Sequence, residues 1–225
     1  MAVITVSREY GSCSEEIAQW VAEALGYSYF DKEILADVAR AADTTEEKIR
    51  QYDEKDEHGL RAFLKKLFLP DYPRFGHYPY YPGIAAEMSR EFAEQAQTPS
   101  ADEVITFFRY VVEGLWDRGN VVIVGRGSQK ILAAKPNTLH VRFIGFLGAR
   151  REVIMASEEL THAEALKKIS AVDAQRAHYM KHYYDADWED GQLYHLVINT
   201  SLMSRKQALV AITTAVRQLK INEGI

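Results

Sequence analysis

Apolar residues recur along this chain at two spacings, and the alternation between them predicts its layout. Val3 to Val6 is a short β-branched run of the kind that fills a buried strand. A polar turn holding Gly11, Ser12 and Ser14 follows, and Ile17, Trp20, Val21, Ala24 and Leu25 then recur at helical spacing until Gly26. Tyr27 to Phe30 reads as a second strand, with Asp31 as the N-cap of a helix carrying Ile34, Leu35, Val38 and Ala39. Thr44 and Glu47 have capping-box spacing, and residues 60–69 form an amphipathic helix with a basic face. Residues 70–83 hold four prolines and four tyrosines and read as an irregular loop, either a mobile flap over a substrate or an ordered surface loop or subunit contact.

A second capping box, Ser100 and Glu103, opens a long helix through Trp116 that Gly119-Asn120 ends. Val121 to Val124 is continuously apolar, the mark of a strand covered on both faces. Gly125-Arg126-Gly127 and a short helical segment come next, then strands at His140–Ile144 and Leu193–Ile198 on either side of a charged helical stretch, 148–182. Lys206 to Lys220 is the closing helix. Strands alternating with helices predict the α/β class, with a parallel sheet and right-handed crossovers.

Composition narrows the functional classes. A chain of 225 residues can bury a core as one domain, with or without an insert. A net charge of −5 argues against general nucleic-acid binding. No apolar run has membrane-spanning length, and the N-terminus enters a strand directly, without the pattern of a signal peptide. The single cysteine, Cys13, excludes an internal disulfide and a cysteine-rich zinc site, and the seven histidines show no ligand spacing. The expectation is a cytoplasmic protein with a small-molecule partner, no nucleic acid and no membrane; the oligomeric state stays open.

Strand, small-residue turn and helix at the N-terminus is the layout of a phosphate-binding loop, in which backbone N–H groups and the helix dipole favour an anion. The loop lacks G-x-x-x-x-G-K-[ST], however, and Glu15 and Glu16 stand at its helix start. They either block the anion site or point outward and leave the amides open; the second arrangement is the expected one. Arg8, Arg126, Arg150, Arg151 and Arg176 offer planar forks that suit phosphate oxygens. Arg126 follows a buried strand, at the edge where open α/β sheets bind ligands. Gly125-Arg126-Gly127 is not a dinucleotide fingerprint, since Lys130 takes the third glycine's place and no ribose-binding acid follows. Asp173 and Arg176 lie one helical turn apart, as an ordinary ion pair would.

Ile-Thr-Val-Ser-Arg-Glu-Tyr-Gly-Ser at 4–12, Tyr-Phe-Asp-Lys-Glu-Ile at 29–34 and Val-Ile-Val-Gly-Arg-Gly at 122–127 resemble the cytidylate kinase-like family. So do Asp173-x-x-Arg176-x-x-Tyr179 and Val-Ile-Asn-Thr-Ser at 197–201. The resemblance implies a three-layer parallel sheet of the P-loop nucleoside monophosphate kinase type, as one domain. Its core would be about 1–30, 101–147 and 191–225, with a helical monophosphate-binding insert at about 31–100 and a helical lid at about 148–190. It implies ATP and Mg²⁺ as cofactors and CMP or dCMP as acceptor. Arg8, Gly11, Ser12, Cys13 and Ser14 would meet the donor phosphates, and Ser12 or Ser14 the metal. Arg126 would hold the acceptor phosphate, Asp31 would lie on the acceptor side, Asp173 and Arg176 would read the cytosine edge, and Arg150 and Arg151 would close on the migrating group. The family's Gly-Ser-Gly-Gly is here Gly11-Ser12-Cys13-Ser14, which adds side chains where backbone approaches phosphate. A non-catalytic nucleotide-binding or regulatory protein on the same fold is the alternative. Cys13, at a helix N-terminus, should be a reactive but non-essential thiol.

Overall fold

The structure, a computed structural model, describes residues 1–31, 109 and 112–219. The helices, loop and capping boxes expected at residues 34–39, 44–47, 60–69, 70–83 and 100–108 lie outside the described residues. The chain divides into two compact units, Met1–Tyr29 with Leu115–Ile225, and Phe30–Gly114; the architecture below is that of the first.

Five strands, β1 (Val3–Arg8), β2 (Ser28–Phe30), β3 (Val121–Val124), β4 (Thr138–Ile144) and β5 (Leu196–Asn199), form one sheet in the order β2-β3-β1-β4-β5. β1 runs parallel to both β3 and β4, with Val3 opposite Val121 and Thr138, and β4 runs parallel to β5. Parallel neighbours cannot be joined by a hairpin, so each connection crosses over the sheet. The connecting helices are α1 (Ser14–Leu25), α2 (through 112–118), α3 (Ser128–Ile131), α4 (Leu147–Glu158), α5 (His162–Tyr184) and α6 (Arg205–Gln218). No helix among the described residues is long and apolar enough to cross a membrane.

Side chains of one strand alternate between the faces. Ile4 and Val6, Val122 and Val124, and Leu139, Val141 and Phe143 share one face, and α1 and α6 cover it with Ile17, Val21, Ile212 and Val216. Because both faces are buried, β1, β3 and most of β4 are inaccessible from end to end.

Three departures from the expected bounds have a visible physical cause. β5 starts at Leu196, not at residue 193, because the Asp190 carboxylate accepts from Gln192 N and winds Gly191–Leu193 into a 3₁₀ turn. β4 starts two residues early, at Thr138, since its polar positions have partners inside the protein. The charged stretch at 148–182 is two helices: Glu159 turns left-handed at φ 56°, and Thr161 with Glu164 forms a capping box that starts α5.

Candidate active site

Parallel strands end together, so the carboxyl edge of β1, β3 and β4 gathers three turns. β1 delivers Arg8, 7% exposed, and the chain then turns through residues 9–13 into α1. Gly11 has φ +80°, and a Cβ there would lie 2.7 Å from the Arg150 carbonyl oxygen. Only glycine allows the loop that approach. Cys13, the residue before α1, is left-handed at φ 55° and gives no side-chain cap. Ser12 Oγ donates to the Glu9 carbonyl at 2.7 Å and closes the turn on itself.

Glu15 turns back on Arg8 instead of pointing outward. Its Oε1 accepts from Arg8 Nε at 2.7 Å and its Oε2 from Ser14 Oγ at 2.9 Å. The physical reason is the buried guanidinium: a charge taken out of water recruits the nearest opposite charge. Burial alone would raise the Glu15 pKa, but the Arg8 charge and hydrogen bond outweigh it, and with Arg176 they hold it at about 2. Glu16 turns to Arg205 Nη1 at 3.1 Å, and Arg205 Nη2 also reaches Cys13 Sγ at 3.3 Å.

The turn after β3 carries three consecutive left-handed residues, Gly125 at φ 84°, Arg126 at 58° and Gly127 at 68°. A Cβ on Gly125 would stand 2.9 Å from Arg8 Nη1, and one on Gly127 would strike the Tyr184 ring at 2.3 Å. Gly127 is therefore required by close packing as well as by backbone, and Gly125 by its backbone. Tyr184 OH donates to the Arg126 carbonyl at 3.2 Å, which ties this turn to α5.

The helices α4 and α5 reach the first turn through Arg150, Asp173 and Arg176. Arg150 Nε donates to the Gly145 carbonyl at 3.0 Å and pairs with Glu9 Oε2 at 3.3 Å. Its Nη1 donates to Asp173 Oδ2 at 2.6 Å and to the Tyr10 carbonyl at 3.2 Å. Asp173 Oδ1 accepts from Tyr10 N at 2.8 Å. Arg176 does not bond Asp173; its Nη1 donates to the Arg8 carbonyl at 2.6 Å. Burial first, and the Arg8 charge second, push the Arg176 guanidinium down to about 10. Tyr10 completes the contact: its hydroxyl donates to Glu158, which also pairs with Lys168, and its ring lies 5.7 Å from the Arg176 guanidinium. Burial and the Glu158 charge raise the Tyr10 phenol well above its ordinary range.

Of the residues singled out by sequence, Arg8, Ser14, Arg150, Asp173 and Arg176 are joined through Tyr10 and Glu15, Gly11 packs on Arg150, Ser12 bonds the Glu9 carbonyl, Cys13 turns to Arg205, and Gly125 packs Arg126's turn against Arg8. Arg151 turns away, to Glu152 and to His162 Nε2 at 2.8 Å. Asp31 is buried just past β2, in the second unit. Tyr179, Tyr183 and Tyr184 pack on one another, with ring centroids 5.0 and 5.9 Å apart. Glu9, Tyr10 and Glu158 escaped the sequence reading as site residues. Glu9 and Tyr10 stand inside the Arg-Glu-Tyr-Gly segment, and that adjacency was the available signal.

The oxygens that could take a hard cation here are the Ser12 and Ser14 hydroxyls and the Glu15 carboxylate, a donor set that suits Mg²⁺. No cluster of three or more histidine, cysteine or acidic side chains with metal-binding geometry occurs among the described residues. The first N–H groups of α1 lack intrahelical partners, as in any helix, and Glu15 in that first turn reaches the Arg8 charge. Loop, arginines and oxygens therefore fit a nucleotide's phosphates in kind, with Glu15 as a resident competitor.

Comparison with solved structures gives an uncharacterized protein from Eubacterium ventriosum, with a TM-score of 0.61 and 19% identity, covering 97% of this chain and 100% of that one. A shikimate kinase from Bacteroides thetaiotaomicron follows at TM-score 0.49 and 13% identity, covering 97% and 99%. A gluconokinase from Sinorhizobium meliloti stands at TM-score 0.47 and 14% identity, covering 96% and 89%. No curated protein matches the chain. The cytidylate kinase-like family model matches residues 3–202, which take in all five strands of the sheet and both helices of the charged stretch. On that match over most of its length, this chain, a five-stranded sheet with flanking helices, belongs to the cytidylate kinase-like family.

Proposed function

We propose that the protein transfers a phosphoryl group from ATP·Mg²⁺ to a pyrimidine nucleoside monophosphate, CMP or dCMP. Family membership supports nucleotide kinase activity in general. The observation that carries the reading further is the convergence of Arg8 and the Gly125-Arg126-Gly127 turn at the carboxyl edge of adjacent strands. Phosphoryl transfer needs positioning and charge neutralisation more than covalent chemistry, and arginines at a sheet edge supply both. In this reading Arg8 and residues 11–14 take the donor phosphates, Ser12 or Ser14 the metal, and Arg126 the acceptor phosphate, with Asp31 on the acceptor side. Arg150 serves the migrating group, and Arg151 joins it only by leaving Glu152 and His162. The base-reading role implied for Asp173 and Arg176 competes with the bonds they already make.

ADP release measured across the nucleoside monophosphates tests the proposal, with CMP and dCMP expected to be turned over fastest. No ATP binding at millimolar nucleotide would end the kinase reading. Arg126→Ala should weaken CMP binding by ~2–3 kcal/mol, the scale of a bidentate charge-assisted contact, and unchanged CMP affinity by calorimetry would remove that role.

One observation favours a second reading, a nucleotide-binding protein without turnover: Glu15 holds the Arg8 guanidinium that a phosphate would need. The Glu15 side chain is nonetheless 42% exposed, so it can swing into water when phosphate arrives. Glu15→Gln should therefore change ATP affinity by less than about tenfold, or ~1.4 kcal/mol. A much larger gain would mark a self-blocked loop and favour the second reading.

A further inference from the structure

Arg150 is nearly buried, at 9% exposure, yet only part of its head is engaged. A guanidinium is a rigid planar fork with five N–H donors, so fixing two of its nitrogens fixes the direction of the third. Here Nε is held by the Gly145 carbonyl and Glu9, and Nη1 by Asp173 and the Tyr10 carbonyl. Nη2 makes no hydrogen bond among the described residues, so its two N–H groups are oriented by the anchoring of the other nitrogens.

The two anchoring carboxylates come from separate parts of the fold. Glu9 lies in the turn after β1, where its Oε2 also accepts from Gly145 N at 2.9 Å. Asp173 lies in α5 and spends both oxygens, one on Arg150 and one on Tyr10 N. Using Asp173 to read a base amino group would mean giving up at least one of these bonds. Losing its bond to Arg150 would leave that buried charge less compensated.

We infer that Glu9 and Asp173 are positioning residues, which fix the plane of Arg150 so that Nη2 is presented to the migrating phosphoryl group, and that Asp173 is not a base reader. The inference rests on the kinase reading for its chemistry, though not for its geometry. A donor held in advance where charge develops lowers the barrier without reorganisation, and loosening it affects turnover more than ground-state binding.

The test uses Asp173→Asn and Glu9→Gln, which keep size and remove the charge facing Arg150. Each is assayed for kcat and KM with CMP and UMP, and by NMR of the Arg150 Nε–H signal, assigned with Arg150→Lys. Expected for Asp173→Asn is a loss of kcat of about tenfold to hundredfold, with acceptor KM within about twofold. The CMP-to-UMP ratio of kcat/KM should be unchanged, and the Nε–H should lose its protection from exchange. Glu9→Gln should act in the same direction. A selective change in the CMP-to-UMP ratio would overturn the inference in favour of base reading. Unchanged kcat with a protected Nε–H in both variants would overturn it as well. Should the wild-type protein turn over no nucleoside monophosphate, the kinase reading fails separately. The Arg150 signal then decides: loss of Nε–H protection in Asp173→Asn supports the positioning of Arg150, and retained protection overturns it.

Discussion

The two faces of the sheet are both buried, one by apolar contact alone and the other by apolar residues interleaved with polar ones. On one, Ile4, Val6, Val124, Leu139, Val141 and Phe143 meet the apolar stripes of α1 and α6. On the other, Val3, Val121 and Ile123 share the surface with Thr5, Ser7, Thr138, His140 and Arg142, polar residues buried to within a few per cent. Each has a partner there. Thr5 Oγ1 and His140 Nδ1 lie 2.7 Å apart, and the His140 amide donates to His195 Nδ1 at 2.9 Å. Arg142 donates to the Trp188 carbonyl and stacks on its indole at 4.2 Å. Apolar contact is non-directional, so the first face tolerates change in proportion to the volume lost. The second is directional: each group lost leaves another unsatisfied, and the penalty is that group's desolvation.

The largest effect should come from the apolar face. Phe143 is wholly inaccessible, and Phe143→Ala removes most of a packed ring. It should cost ~4 kcal/mol of unfolding free energy in denaturant titrations. A cost under ~1.5 kcal/mol would mean that this face is loosely packed and the contrast is overdrawn.

The polar face should betray itself through pH. Burial, with the nearby His195 adding to it, depresses the His140 pKa from 6.5 to about 4. The folded state therefore holds His140 neutral, while the unfolded chain takes up a proton as pH falls through 6.5. This contribution to stability is intact above pH 6.5, is lost progressively toward pH 4 and falls no further below it. A depression of that size corresponds to roughly 3 kcal/mol. Stability measured from pH 7 to pH 4 should show the decline, and His140→Asn, which keeps a polar partner for Thr5 and does not titrate, should flatten it. Glu15 loses its contribution in a separate, lower window, from its ordinary range down toward pH 2, so the two can be told apart. An unchanged profile in His140→Asn would mean that the imidazole is not the group responsible.

The same contrast explains what the sequence could reveal. The apolar runs of β1 and β3, the stop at Gly26 and the turn at Gly125–Gly127 rest on local pattern, and so were legible. The alternation in β4 of Thr138, His140 and Arg142 with Leu139, Val141 and Phe143 resembles a strand with one wet face; its polar positions are dry only because Trp188 and Tyr194 return from far along the chain. The candidate site follows this division. Its arginines were visible as residue types in a family order, whereas Glu9, Tyr10 and the bond between Tyr10 and Asp173 depend on contacts across more than a hundred residues. Glu15 was expected to face outward because helix geometry permits it, and the buried Arg8 charge, a tertiary fact, turned it inward.

The smallest predicted effect is the sharpest test of directionality. Ser7 Oγ accepts from Trp188 Nε1 at 2.9 Å and lies 3.2 Å from the Tyr194 hydroxyl, which itself donates to the Trp188 carbonyl at 2.9 Å. Ser7→Ala removes a single oxygen and leaves the indole N–H buried without an acceptor, at a cost of ~1–2 kcal/mol. Trp188→Phe removes that N–H, so Ser7→Ala should cost ~1 kcal/mol less in the Trp188→Phe background than in the wild type. On the apolar face there is no such donor to orphan: Val6→Ala, one residue away and pointing the other way, should cost the same in both backgrounds. Denaturant titrations of the two cycles decide the matter. A coupling near zero for Ser7 with Trp188 would reduce the polar face to ordinary packing, and an equal coupling for Val6 would show that Trp188→Phe disturbs the sheet as a whole.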